Sequence, residues 1–148
     1  MTPDAPVYWY DEIDSTNEEV RRRAKAGDTG PFWIAARAQT AGRGRLGRSW
    51  SSPQGNLFTT GFFTEPGGLA IASRLPFATG LAVVDACQQL VPAADIRLKW
   101  PNDVRVDGAK LCGILVESGQ RYATVWVGVG IGLNVATAPE GTGQAATC

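Results

Sequence analysis

The sequence contains no histidine, and this removes the side chain that most often serves as a general base or a metal ligand near neutral pH. Its three cysteines, Cys87, Cys112 and Cys148, are odd in number and include no CxxC pair. A disulfide framework and a cysteine-based zinc site are therefore not expected. This cysteine usage predicts a reducing, cytoplasmic location.

An excess of either charge is also missing, because 14 Lys and Arg balance 14 Asp and Glu among the 148 residues. Attraction of the whole protein to nucleic acid or to an anionic membrane is therefore not indicated. No apolar run reaches membrane-spanning length, and the N-terminus lacks the basic and apolar regions of a signal peptide. The length and the hydrophobic content of 44% predict one soluble globular domain.

The charge that is present is unevenly placed. No Asp or Glu occurs from Ile34 to Thr64, and residues 39–50 read QTAGRGRLGRSW. Glycine lets backbone amides approach a ligand closely, and arginine offers forked donors for carboxylate or phosphate, so this pattern predicts an anion-binding loop. A solvated basic hairpin or a nucleic-acid contact remains open on composition alone. Trp50 could stack on a base or ring, or it could belong to the core.

Three other segments combine polar groups with turn or strand signals: DSTNEE, KWPND and KLCGILVE. Ser15 and Glu18 have the spacing of a capping box at a helix start. Lys99 lies in an otherwise apolar strand and needs an acidic partner or a ligand, while Asp103 could hold a divalent cation or orient a sugar hydroxyl. Lys110 begins an apolar strand, a position that is more often solvated than functional.

The hydrophobic pattern predicts an α+β fold, in which a mixed, mostly antiparallel sheet has helices packed on one side. A helix is predicted over residues 16–26, with Gly27 at its end, and a buried helix over residues 69–90, which Pro76 splits or begins. We expect Arg21–Arg23 to form the solvated face of the first helix. Strands are predicted over residues 7–10, 32–36, 56–64, 96–100, 104–106, 110–117 and 122–135, and a loose tail over residues 136–148.

Taken in order, DSTNEE, QTAGRGRLGRSW, KWPNDV, KLCGILVE and GVGIGLNV resemble the catalytic core of biotin–protein ligases (biotin–[acetyl-CoA-carboxylase] ligases). The resemblance covers about residues 8–135, and it implies a class II synthetase-like core over residues 1–135. It implies an enzyme that uses ATP and Mg²⁺ to convert biotin into biotinyl-5′-AMP. The biotin then passes to a lysine of a biotin carboxyl carrier domain, which is the implied partner.

The resemblance also implies roles for individual residues. The biotin pocket would contain Ser15, Thr16, Asn17, Gln39, Gly42, Arg43, Gly44, Arg45, Lys110, Gly113 and Gly130. The nucleotide side would contain Arg45, Arg48, Trp50, Lys99, Asn102, Asp103 and Asn134. The residues expected to be catalytic are Lys110, Arg45 and Asp103, with the choice of Mg²⁺ or ribose for Asp103 left open.

Two departures from the family pattern shape the remaining expectations. Few residues precede Tyr8, so no helix-turn-helix and no DNA-binding role are expected. Relatives continue past the glycine-rich strand into more of the core and a small barrel, so the chain is interpreted as shortened, with an exposed edge that could promote a homodimer. An inactive biotin-binding module and a lipoate or octanoate ligase remain as alternatives.

Overall fold

The computed structural model describes residues 4–65, 72–121, 124–140 and 145–148, which form one mixed sheet with two α-helices. The helices are α1 (Thr16–Ala26) and α2 (Leu75–Leu90). The strands are β1 (Val7–Ile13), β2 (Phe32–Gln39), β3 (Leu57–Glu65), β4 (Ile96–Lys99), β5 (Asp103–Val106), β6 (Ala109–Arg121) and β7 (Thr124–Leu133). None of the helices in these residues has the length and apolarity needed to cross a membrane.

The strand order is β1-β2-β3-β7-β6-β5-β4, so the chain's last strand lies in the middle of the sheet. Strand β1 pairs with β2 in parallel, because α1 carries the chain back between them, and all other pairs are antiparallel. The predicted mixed, mostly antiparallel sheet is confirmed. Long pairings of β7 with β3 and β6 place its glycines against both neighbours.

Helix α1 has the predicted bounds. It ends at Gly27, whose φ of 112° is the left-handed conformation that glycine tolerates best, and its amide donates to the carbonyls of Arg23 and Ala24. Val20 and Ala24 pack in a cluster with aromatic and apolar side chains of β2 and β3. The opposite side carries Arg21 and Arg22, which are exposed as predicted and pair with nearby carboxylates. The prediction is wrong for Arg23, which is half-buried and lies over the Tyr8 ring.

Helix α2 is shorter and less buried than predicted. It begins at Leu75 with Pro76 in its first turn, while residues 69–71 of the predicted helix lie outside the described residues. Only Gly80 and Cys87 are fully buried in it, and Leu81 is 45% exposed, so the prediction of a buried helix is wrong. Composition misled here, because an alanine-rich apolar helix can still pack on one face alone.

Helices α1 and α2 lie on opposite faces of the sheet. Gly128 in β7 faces α1, since a Cβ atom there would lie 2.9 Å from Val20 Cγ1. The alternate residues Val127 and Val129 point to the other face and cluster with Leu75 of α2. The expectation that both helices pack on one side of the sheet is therefore corrected. The residues on each face of β7 are small or apolar, so each face can support a helix.

The core between α2 and the sheet also contains two thiols. Cys87 of α2 and Cys112 of β6 are buried in the same apolar cluster, and both are free. Burial raises the pKa of Cys87, and burial together with the nearby Cys87 raises the pKa of Cys112 to about 12. These thiols therefore stay protonated and behave as small apolar side chains.

Two connections near the site follow from turn chemistry and from side-chain anchoring. Asp107 and Gly108 have φ values of 49° and 81°, as in the hairpin predicted between β5 and β6. The predicted tail is anchored rather than loose: the Asn56 carboxamide oxygen accepts from the amides of residues 135–137. The Lys110 amide donates to the Ala145 carbonyl, and the Thr147 amide donates to the Lys110 carbonyl. The division into a core over residues 1–135 and a tail stays a prediction.

Candidate active site

A cavity of about 140 Å³ lies where the start of α1, the arginine loop and the glycine-bearing centre of the sheet meet. It brings together most of the residues that the sequence predicted for the site. Its lining includes Ser15, Thr16, Asn17, Gln39, Arg43, Gly44, Arg45, Arg48, Trp50, Asn102, Lys110, Gly113, Gly130 and Asn134. Four cationic side chains border the cavity, and no carboxylate is among its lining residues in the part of the chain that the structure describes.

The first turn of α1 is held from β2 rather than by its own cap. The Thr16 amide donates to Gln39 Oε1 at 2.8 Å, and Gln39 Nε2 donates to the Ser52 hydroxyl at 2.9 Å. Ser15 makes no side-chain cap bond, so the predicted capping box is wrong. The physical reason is competition: Glu18 pairs with arginines, and Asp14 accepts from the Ser15 amide.

Asn17 is buried at the wall of the cavity and both ends of its carboxamide are used. The Thr60 hydroxyl lies 2.7 Å from Asn17 Oδ1, and Asn17 Nδ2 donates to Glu117 Oε2 at 2.9 Å. Gly130 of β7 is required beside it, because a Cβ at that position would lie 2.1 Å from Asn17 Oδ1. The glycine in the strand thus admits a polar group of α1 to the sheet surface.

The arginine loop is a small hairpin. The Trp50 amide donates to the Gly42 carbonyl at 2.9 Å, the Gly44 amide donates to the Arg48 carbonyl at 2.7 Å, and Leu46 at the tip is 91% exposed. Gly42 lies behind the cavity lining, where a Cβ would lie 2.4 Å from the Trp50 carbonyl oxygen. Its glycine identity lets the two limbs of the loop close.

The three arginines of this loop have different partners. Arg43 forms ion pairs with Glu18 and Glu117. Arg45 Nη1 donates to Asn102 Oδ1 at 3.0 Å, and Arg48 Nε donates to the Arg45 carbonyl at 3.3 Å. The charge of Arg43 is therefore compensated by carboxylates, whereas the acceptors of Arg45 and Arg48 are neutral oxygens.

Trp50 closes one wall of the cavity by lying on two glycines of the sheet. Cβ atoms at Gly113 and Gly132 would lie 2.8 Å and 2.6 Å from its ring atoms. Lys110 Nζ lies 5.1 Å from the centroid of the ring, within the range of a cation–π contact. The buried indole N–H has no hydrogen-bond partner among the described residues, which leaves one donor unsatisfied at this wall.

The segment that contains KWPND is joined to β6 at Ile114 and at Lys110. The Ile114 amide donates to the Asn102 carbonyl and Asn102 Nδ2 donates to the Ile114 carbonyl, both at 2.9 Å. Asp103 does not line the cavity, but its Oδ1 lies 2.8 Å from Lys110 Nζ. Lys99 is exposed at the end of β4, where it pairs in register with Asp103 of β5, but it does not line the cavity.

Sequence reasoning missed a supporting layer of carboxylates and hydroxyls. Glu18 and Glu117 bind Arg43, and Thr60 and Ser52 connect Asn17 and Gln39 to the sheet and the loop. Gly132 was also missed, although the glycines at alternate positions of β7 gave a signal for it. The carboxylates lie 99 residues apart in the sequence, and no local pattern connects them. Ser49, Ser51, Ile114, Leu115, Ile131, Pro139 and Ala146 complete the lining.

Comparison with known proteins assigns the family. The sequence model of the biotin/lipoate A/B protein ligase family matches residues 9–134. The chain belongs to this family. It is 46% identical over 129 residues to a biotin–[acetyl-CoA-carboxylase] ligase of Paracoccus denitrificans, covering 86% of this chain and 53% of that protein. A ligase of the same name from Mycobacterium tuberculosis is 41% identical over 134 residues, covering 87% and 49%.

Solved structures of the family share the fold. A Leishmania major biotin protein ligase in complex with biotin superposes with a TM-score of 0.79 at 32% identity, covering 99% of this chain and 63% of that chain. An Aquifex aeolicus biotin protein ligase in complex with biotin and ATP superposes with a TM-score of 0.71 at 33% identity, covering 96% and 58%. The chain therefore spans about half the length of the curated relatives it matches.

Proposed function

We propose that this chain activates biotin with ATP to give biotinyl-5′-AMP and passes the biotin to a lysine of a biotin carboxyl carrier domain. The observation that carries the proposal is the composition of the cavity wall: Arg45, Arg48 and Lys110 line it, and the acceptors of the two arginines are neutral oxygens. Both substrates of the first step are anions, and their mutual repulsion is the main obstacle to bringing them together. A preorganised cationic wall lowers that obstacle.

The polar end of the cavity suits the uncharged ring of biotin. Ser15, Thr16 and Asn17 are each less than 10% exposed at the start of α1, where helix amides and side chains offer both donors and acceptors. A ureido group presents one carbonyl and two N–H groups, which these residues can match. The biotin chain would then extend toward Lys110, whose side chain is 13% exposed and whose ammonium lies beside the Trp50 ring.

The first step joins a biotin carboxylate oxygen to the α-phosphorus of ATP and breaks the bond from that phosphorus to pyrophosphate. Lys110 and Arg45 would hold the carboxylate and the α-phosphate together and stabilise the charge that develops on the phosphate oxygens. Arg48 lies beside them on the same loop. In the second step the carrier lysine amine attacks the acyl carbon, loses a proton, and AMP leaves.

Magnesium is expected from the resemblance, but the described residues do not form a metal site by themselves. They contain no group of three or more Cys, Asp or Glu side chains placed to hold an ion. Asp103 is the predicted candidate, and its carboxylate is engaged by Lys110 at 2.8 Å. We therefore assign no step of the reaction to a metal bound by this chain.

Isothermal titration with biotin, with and without Mg-ATP, combined with a pyrophosphate assay, tests the proposal. Biotin binding with pyrophosphate release is the expected result. Biotin binding without pyrophosphate release would overturn the enzymatic proposal in favour of a binding module. Lipoate and octanoate serve as matched competitors, and pyrophosphate release with either of them instead of biotin would favour the related acyl ligase.

Transfer needs its own assay, because the chain spans about half of its curated relatives. A purified biotin carboxyl carrier domain should gain one biotin in the presence of the chain, ATP and biotin, as seen by intact mass. The same domain with its acceptor lysine replaced by arginine is the matched control. Adenylate formation without mass gain on the carrier would restrict the proposed function to the first step.

A further inference from the structure

Glu117 connects two parts of the cavity that the sequence gives no reason to connect. Its Oε2 accepts from Asn17 Nδ2 at 2.9 Å, and its Oε1 lies 3.4 Å from Arg43 Nη2. Arg43 also pairs with Glu18 in the first turn of α1. One carboxylate on β6 thus contacts both a residue at the biotin end and the first arginine of the loop.

The carboxylates are shielded enough for this contact to matter. The side chains of Glu18 and Glu117 are 16% and 25% exposed, and that of Arg43 is 40% exposed. Two carboxylates against one guanidinium compensate the charge of Arg43 before any ligand arrives. Arg43 therefore differs from Arg45 and Arg48, whose acceptors among the described residues are neutral oxygens.

Glu117 is the nearer of two acceptors that hold the Asn17 carboxamide in place, the other being the Leu115 carbonyl at 3.3 Å from Nδ2. An ionised carboxylate can only accept hydrogen bonds, so Nδ2 must face Glu117. Oδ1 then faces the Thr60 hydroxyl at 2.7 Å and the Gly130 position. Without Glu117, Nδ2 would keep only the more distant Leu115 acceptor, so the orientation of the carboxamide would be held less firmly.

We propose that Glu117 is a positioning residue: with Glu18 it anchors the arginine loop through Arg43, and with the Leu115 carbonyl it holds the orientation of Asn17. In this arrangement Arg43 serves to hold the loop over the cavity, and the anionic substrates are left to Arg45, Arg48 and Lys110. The anchoring of the loop is a property of the ligand-free chain. The orientation of Asn17 concerns affinity for biotin, so that role of Glu117 rests on the proposed function.

The anchoring of the loop can be tested without any ligand, because the loop carries three trypsin sites. Limited trypsin digestion with mass spectrometry measures cleavage after residues 43, 45 and 48. Cleavage under native conditions tracks the population of the open loop, so Glu117→Gln should raise the cleavage rate after Arg45 and Arg48 about threefold. Arg43→Gln should do the same, and the double variant should add little to either, as expected for partners in one contact.

Asp85→Asn is the matched control, since it removes an exposed carboxylate from α2 on the other face of the sheet. Its loop cleavage rate should equal that of the unaltered chain. Thermal melts establish that each variant is folded before digestion. A wild-type cleavage rate in a folded Glu117→Gln variant would overturn the anchoring role, and so would full additivity with Arg43→Gln.

The role of Glu117 in orienting Asn17 is tested by measuring biotin affinity for two substitutions of Glu117. Glutamine keeps an acceptor for Asn17 Nδ2 while losing the charge, so Glu117→Gln should bind biotin within about threefold of wild type. Glu117→Ala removes the nearer acceptor of Asn17 Nδ2 and should weaken binding about tenfold. Equal affinities of Glu117→Ala and wild type would overturn the role of Glu117 in orienting Asn17. Failure of the unaltered chain to bind biotin would instead contradict the proposed function, while the digestion result would still stand.

Discussion

Lys110 Nζ lies 2.8 Å from Asp103 Oδ1, and the two side chains are only 13% and 17% exposed. Lys110 is the second residue of β6 and Asp103 is the first residue of β5, and the strand pairing is irregular between Val104 and Arg105. This contact gives the expected catalytic lysine a carboxylate partner at the cavity wall. A ligand that recruits Lys110 must therefore share or replace that partner.

The first prediction compares this ion pair with an exposed pair of nearly equal length. Asp103→Asn leaves a shielded ammonium without its charge partner and should lower the free energy of unfolding by about 1–2 kcal/mol. Asp95 lies 2.7 Å from Arg97, but the side chains of Arg97 and Asp95 are 77% and 54% exposed. Asp95→Asn should therefore cost clearly less stability than Asp103→Asn.

Urea denaturation of the three chains measures the difference, provided that the slopes of the transitions agree. Equal losses for Asp103→Asn and Asp95→Asn would show that burial does not strengthen the Lys110 contact. In that case Lys110 would be free to leave Asp103 at little cost when a ligand binds.

The second prediction concerns the close approach of α1 to β7. Gly130→Ala places a Cβ about where Asn17 Oδ1 now lies, with a separation of 2.1 Å in the present arrangement. The crowding should cost about 1–3 kcal/mol of stability and should weaken biotin binding, because Asn17 must move. The measurement is denaturant unfolding together with biotin titration.

A double-variant cycle identifies the cause. In an Asn17→Ala background the clash is gone, so Gly130→Ala should cost only a few tenths of a kcal/mol more. The Leu115 carbonyl oxygen, 3.1 Å from the added Cβ, is the remaining close neighbour. An undiminished cost in that background would assign the effect to the strand backbone rather than to Asn17.

Local patterns were enough to predict much of the fold. The bounds of α1, its end at Gly27 and the turn at Asp107–Gly108 depend on residues close in sequence, and the structure confirms them. The burial of α2 and the choice of sheet face depend on contacts distant in sequence. An apolar composition cannot say whether one face or both faces of a helix are covered.

The site shows the same division. The ordered motifs identified residues such as Ser15, Gln39 and Lys110, which the fold does bring to one cavity. The sequence could not indicate that Gln39 would cap α1 or that Glu117 would meet Arg43, because each contact joins different elements. The capping box failed for a related reason: a distant arginine competes for Glu18.

The third prediction is a pH dependence at the start of α1. Hydrogen bonds from Arg22 lower the pKa of Asp14 from its ordinary 3.8 to about 2. A depressed carboxyl pKa stabilises the fold fully above about pH 4, and this contribution is lost as the pH falls through about 2. Asp14 is 44% exposed, so screening should reduce the contribution to about 1 kcal/mol or less.

The measurement is the unfolding free energy of wild type and Asp14→Asn at pH 5.5 and at pH 2. The variant should be less stable at the higher pH, and the difference should shrink at the lower pH. The pKa of Glu19 is also lowered: burial opposes the shift, but hydrogen bonds from Arg22, Arg23 and Tyr10 outweigh it. A difference that grows on acidification would contradict the sign of the Asp14 argument.

The fourth prediction tests whether the loop retains the activated intermediate. Arg45 borders the cavity and its guanidinium donates to a neutral acceptor, Asn102 Oδ1, at 3.0 Å. If the chain forms biotinyl-5′-AMP as proposed, the Arg45 guanidinium can turn to the phosphate of this intermediate. A charge-assisted contact of this kind should slow release of the intermediate about tenfold. Arg45→Ala should therefore release the adenylate about tenfold faster than wild type.

Rapid filtration after a single turnover, with excess unlabelled biotin as a chase, measures that rate. Arg97→Ala is the control, because Arg97 is an exposed arginine outside the cavity lining. Equal retention by Arg45→Ala and Arg97→Ala would mean that Arg45 does not hold the intermediate and that the loop shields it by coverage alone.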